Sequence, residues 1–125
     1  MQTDYHQKKD IPPGPSDSSR MLSPKDIEGA VLGFAVGDAL GVPAEFMSRE
    51  QLKRNPVAGM RAGGVHNQPA GTWSDDTSMT LCLMDSIMEK GIDYGDQMFR
   101  FSNWLWYAEN TARNEVFDVG GDPNC

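Results

Sequence analysis

Apolar residues in this chain recur mainly at helical spacing. From Ile27 the positions Ala30, Val31, Phe34 and Ala35 form one stripe, the pattern of an amphipathic helix. Ser23 is a good N-cap for it, Pro24 suits the first helical position, and Asp26 or Glu28 adds negative charge to the first turn. The stripe stops at Gly41 with Pro43 just beyond, a normal helix ending. A short second helix is predicted from Arg49 to Arg54, where Ser48 and Gln51 have capping-box spacing and Pro56 follows. A third begins after Ser74 and runs through Met79, Cys82, Leu83, Ser86 and Ile87 to Gly91, which suits a C-terminal cap. The fourth runs from about Tyr94 to Asn110 behind the cap Asp93, with Met98, Phe101, Trp104, Leu105 and Ala108 on its buried face.

No segment alternates in the manner of a strand, so the expected class is all-α. Val57–Trp73 is a long loop before the third helix, containing Gly59, Gly63, Gly64, Pro69 and Gly71. A loop of that length inside a compact domain is usually functional or mobile. Residues 1–22 form a polar tail with Pro12-Pro13-Gly14-Pro15 and Ser16-Asp17-Ser18-Ser19. That tail has too little to bury and is expected to be disordered. Met21 is a candidate alternative start.

Composition narrows the function. One domain is the ceiling at 125 residues, and the folded part is expected over residues 23–125. A net charge of −7 argues against nucleic acid or an anionic membrane as partner, since both reward basic surfaces. Met1–Arg20 lacks the apolar core of a secretory signal, and the chain has no long uncharged apolar run. A cytoplasmic protein with no membrane span is therefore expected. Cys82 and Cys125 suggest neither a disulfide framework nor a zinc site, and Cys82 reads as a small buried hydrophobe. His6 and His66 have no ligand spacing and receive no role. The cluster Trp104, Trp106 and Tyr107 reads as core rather than as a stacking platform.

Three segments hold candidate chemistry. In Ser74-Asp75-Asp76-Thr77 two adjacent carboxylates repel each other unless a cation or strong donors lie near. They are either helix N-terminal charges or ligands for a hard metal such as Mg²⁺ or Mn²⁺, which takes oxygen donors. Asp38 places an acid in the last turn of a glycine-rich helix, against the helix dipole, and such inconsistencies are expected at functional sites. Glu45 follows the helix stop and either lies on the surface or projects into a cleft. Phe117-Asp118-Val119-Gly120 sets a third acid between apolar residues. The first helix also carries glycines at 29, 33, 37 and 41, which clears one face at a cost of roughly 1 kcal/mol each. Either another helix packs very close there, or a ligand approaches the backbone.

The order Gly29-Ala30, Gly33, Gly37-Asp38-Ala39-Leu40-Gly41, Pro43, Glu45-Phe46, then Gly63-Gly64, Gly71-Thr72-Trp73-Ser74-Asp75-Asp76-Thr77-Ser78-Met79 and Phe117-Asp118-Val119-Gly120 resembles the ADP-ribosylglycohydrolase family. The likeness runs from about Ile27 to Gly120. It implies the N-terminal portion of a compact orthogonal helical bundle, and a metal-dependent hydrolase that removes ADP-ribose from ADP-ribosylated proteins or small ADP-ribosyl compounds. It implies a two-metal Mg²⁺ or Mn²⁺ site with Ser74, Asp75 and Asp76 among the ligands, Ser74 standing where the family usually has threonine. By the same resemblance Glu45 and Asp118 are catalytic acids, and Gly63 and Gly64 bring bare backbone to the substrate.

The family's second ligand group, an Asp-x-Asp followed by a hydroxyl residue, has no counterpart here. The expectation is therefore that these 125 residues carry only the N-terminal part of the domain and show no turnover alone. The alternative is a non-catalytic remnant or interaction protein derived from that family.

Overall fold

The computed structural model describes residues 21–120. Most of the expected polar tail, with His6, and the segment 121–125, with Cys125, lie outside the described residues. Four α-helices account for most of the rest: α1 (Pro24–Gly41), α2 (Arg49–Arg54), α3 (Asp75–Lys90) and α4 (Tyr94–Tyr107). Among the described residues there is no strand, only an isolated antiparallel bridge between Gly63 and Gln68.

The helix starts follow from short polar side chains. Ser23 Oγ accepts from the Asp26 amide at 3.2 Å while Asp26 Oδ2 accepts from the Ser23 amide at 2.9 Å, so two orphan donors are satisfied reciprocally. Ser48 and Gln51 repeat the device at α2. Asp93 caps α4 through the Asp96 amide at 3.0 Å. After Gly41 the chain makes a 3₁₀ turn, Val42–Ala44, because Pro43 lacks an amide to continue the α-helical ladder but has a φ that suits a first turn. That turn carries Glu45 away from the axis of α1.

The α3–α4 interface is built from small residues. Ser78, Cys82 and Ser86 are the most deeply buried side chains, and their spacing of four places them on one face of α3. With so little bulk between them the two helices come close, and the Cys82 thiol reaches the Arg100 carbonyl at 3.7 Å. Burial pushes the Cys82 thiol pKa up, as expected for an inert cysteine. Trp104 covers the α4 side, and Arg100 ties Asp96 to Glu89 across the two helices at 2.7 and 2.8 Å.

Burial departs from the expected faces. On α3 Met79 and Leu83 are only half-buried and Ile87 is exposed; on α4 Met98 and Leu105 are exposed. Of the aromatic cluster only Trp104 is core, at 6% exposed, whereas Trp106 and Tyr107 are each 75% exposed. Helix α4 ends three residues short of Asn110, because Ala108 turns left-handed (φ 58°) and donates its amide to the Trp104 carbonyl. On α1 Ile27, Ala30 and Phe34 are exposed, and a side chain at Gly29, Gly33, Gly37 or Gly41 would meet nothing within 4 Å. The close helix packing expected on that glycine face is not found among the described residues. An apolar groove of about 300 Å³, lined by Ile27, Val31, Leu32 and Met84, lies open between α1 and α3.

The physical reason is common to these positions: no described element lies over them. By length and composition Pro24–Ala44 is also apolar enough to cross a bilayer, although no charge-free run was expected to do so. Helix α1 does contact α3, and burial on it is confined to Ala39 near its C-terminal end, with Val42 of the following turn also buried.

Candidate functional site

Asp38 resolves its own local inconsistency by capping a different helix. Its Oδ2 accepts from the Ser74 amide at 2.9 Å, the Thr77 amide at 3.2 Å and the Thr77 hydroxyl at 2.6 Å; its Oδ1 accepts from the Ser74 hydroxyl at 2.6 Å. The two amides belong to the N-cap and third residues of α3, so Asp38 supplies the acid of a capping box from the far side of the fold. Ser74 and Thr77 are buried, and a carboxylate is one of the few groups able to satisfy so many buried donors at once.

This clamp fixes Asp75 and Asp76 in the first turn of α3. The Asp75 carboxyl is held above the ordinary aspartate range, first by burial, then by the negative charge of Asp118 and that of Asp76. Burial and the neighbouring acids both raise the cost of its negative charge, a cost that a cation beside it would relieve. Oxygen donors from Asp75 and Asp76 suit Mg²⁺ or Mn²⁺. The Ser74 hydroxyl gives its hydrogen to Asp38 and accepts from the Asp76 amide at 3.3 Å, so only one lone pair is left to join them.

Glu45 and Asp118 come together from distant parts of the chain. His66, which sequence reasoning left without a role, lies between them: Nε2 is 2.5 Å from Glu45 Oε2 and 3.7 Å from Asp118 Oδ2. The ligand atoms of these three residues lie within 4.8 Å of one another, close enough to embrace a cation. Asp118 Oδ1 is occupied by the Gly120 amide at 3.0 Å, an Asx turn that aims Oδ2 at the histidine. Phe46, beside Glu45, has φ 61°, a left-handed conformation that is costly for a bulky residue. The one available hint to His66 was its place on a glycine-rich loop between two acid motifs.

Gly63 and Gly64 shape the loop that carries His66. Gly63 closes it by pairing with Gln68, its amide donating to the Gln68 carbonyl at 2.9 Å. Gly64 has φ 78°, and a Cβ there would lie 2.6 Å from the Pro43 carbonyl oxygen. Bare backbone at Gly64 is therefore required for the loop to seat on the Val42–Ala44 turn, immediately before Glu45. The apolar groove beside α1 shares none of these residues.

A model of the family described as ADP-ribosylglycohydrolase matches residues 21–124. The chain belongs to that family. It is 34% identical over 129 residues to the ADP-ribosylarginine hydrolase Tri1 of Pseudomonas putida (strain GB-1), an alignment covering 94% of this chain and 34% of that protein. It is 39% identical over 95 residues to the ADP-ribosyl-[dinitrogen reductase] glycohydrolase of Rhodospirillum rubrum, covering 74% and 30%. A solved ADP-ribosylglycohydrolase-related protein complex superposes with a TM-score of 0.58 at 45% identity, over 62% of this chain and 26% of that one. The chain thus spans about a third of the length of these relatives, and its all-α architecture is that of the family.

Three outcomes follow from the site. Asp38→Ala leaves buried donors on Ser74 and Thr77 unpaired and should cost roughly 2–4 kcal/mol, measured by urea unfolding, whereas Asp38→Asn should cost less. Gly64→Ala places a Cβ against Pro43 in a left-handed conformation and should cost at least about 2 kcal/mol, read from the same curves. Because folding raises the Asp75 pKa, the native state binds its proton more tightly than the unfolded state. Its contribution therefore turns unfavourable as pH rises from the ordinary aspartate value through the raised one. Asp75→Asn should accordingly raise the melting temperature of the metal-free protein at neutral pH and flatten its decline above about pH 4.

Proposed function

We propose that the protein is a Mg²⁺- or Mn²⁺-dependent hydrolase that removes ADP-ribose from ADP-ribosylated protein side chains, with arginine as the favoured linkage. The observation that carries this reading is the convergence of three acid motifs, distant in sequence, on one site: Glu45 and Asp118 meet at His66, and the charge of Asp118 is felt at Asp75. The names of the relatives support the linkage, since one is an arginine-directed hydrolase and another acts on ADP-ribosylated dinitrogen reductase. A cytoplasmic setting belongs to the same reading, and the buried free thiol of Cys82 suits it.

Breaking the bond at the anomeric carbon of the ribose builds positive charge there, and carboxylates oppose that charge. Glu45, with a side chain 38% exposed, and Asp118, at 21%, are both open to a substrate. One of the pair takes the proton of the attacking water as general base. Asp75 and Asp76, with the Ser74 oxygen, would hold the metal, whose charge would orient ribose hydroxyls or lower the pKa of a bound water. Gly63 and Gly64 shape the loop that would lie beside the ADP-ribosyl group.

Ser74, Asp75 and Asp76, the metal ligands of this reading, all come from one helix end. We expect the 125 residues alone to give no measurable turnover, and the intact mass in the source cell to define the length that should be assayed. At that length, Mn²⁺-loaded protein should release ADP-ribose from ADP-ribosylarginine, and Asp76→Asn should lower kcat/KM by about a hundredfold or more. Folded, metal-loaded protein that hydrolyses nothing would favour a non-catalytic member of the family.

A further inference from the structure

Within the acid cluster His66 is the inner member. Its side chain is 12% exposed, less than that of Glu45 or Asp118, and one nitrogen faces both carboxylates. The rings of Phe46 and Phe117 flank the imidazole, with centroids 6.3 and 5.1 Å from its own. The loop holds it from beneath as well. The Gln68 side-chain amide donates to the His66 carbonyl at 3.3 Å, the Asn67 amide to the Gly64 carbonyl at 3.0 Å, and Gly64 sits against Pro43. The donor is therefore fixed before it meets its acceptor, and a charge-assisted bond from a fixed donor selects one orientation of a flexible carboxylate.

The geometry points to His66 as a positioning residue for the hydrolysis: its Nε2–H donates to Glu45 Oε2, holds that carboxylate beside Asp118, and leaves Oε1 to face the substrate. Glu45 gains the most from this. It follows a 3₁₀ turn, is the most exposed of the three, and accepts no other hydrogen bond among the described residues. Without the clamp two carboxylates that repel each other would separate. The inference rests on the hydrolase reading given above.

The test uses the protein at the length its source cell makes, with two readouts. For hydrolysis of ADP-ribosylarginine, His66→Ala should lower kcat by about tenfold to a hundredfold with KM little changed. His66→Gln, whose amide nitrogen reaches the place of Nε2, should recover most of that loss. Equal kcat in wild type and His66→Ala, or equal losses in both variants together with a lower melting temperature, would overturn the positioning role. In the second readout, proton NMR of the wild type should show a downfield Nε2–H resonance that disappears in Glu45→Ala. Its absence from the wild type, or its persistence in Glu45→Ala, would overturn the contact. A wild type that shows the resonance but no hydrolysis would remove the hydrolase reading, and the positioning role with it, while the contact stands.

Discussion

The carboxylate of Asp38 is the tie on which the rest of this structure depends. It joins the last turn of α1 to the first turn of α3 by accepting two amides and two hydroxyls. One consequence runs along α3, where the anchored N-terminus sets the positions of Asp75 and Asp76. Another runs along α1, whose fixed end launches the 3₁₀ turn that presents Glu45 and offers Pro43 as a seat for Gly64. Through Gly64 the same tie reaches the loop and His66. An acid poorly suited to its own helix is made favourable by the donors of another, and both acid groups of the site inherit their placement from it.

How much of this was legible in the sequence depends on how far each signal reaches. Caps are local: Ser23, Ser48, Ser74 and Asp93 each act within three residues, so the helix starts were readable. Asp38 was recognisable as anomalous, but its partners lie 36 and 39 residues away, and no periodicity reports that pairing. His66 carried no pattern of its own, because its meaning comes from where Gly64 lets the loop lie. The end of α4 was misplaced because Ala108 adopts a left-handed conformation that alanine does not advertise. Membership of the family was legible because three motifs in fixed order are far more specific than any one of them.

Burial was the least legible property, and the reason is physical. An apolar stripe says that a face will be covered, not by which element. Trp106, Tyr107, Met98 and the glycine face of α1 are open here, and the relatives are about three times as long as the matched stretch. Large uncovered apolar area is unusual for a monomer. The acid cluster does not share that dependence, since its hydrogen bonds close among the described residues.

The way α3 begins also decides which ions it welcomes. An ordinary helix N-terminus attracts phosphate, because its free amides and dipole present positive charge. Here Asp38 already occupies the amides of Ser74 and Thr77, and Asp75 and Asp76 fill the first turn with negative charge. The polarity of the helix end is thereby inverted: bare phosphate is repelled where it would usually settle, and positive charge is favoured in its place.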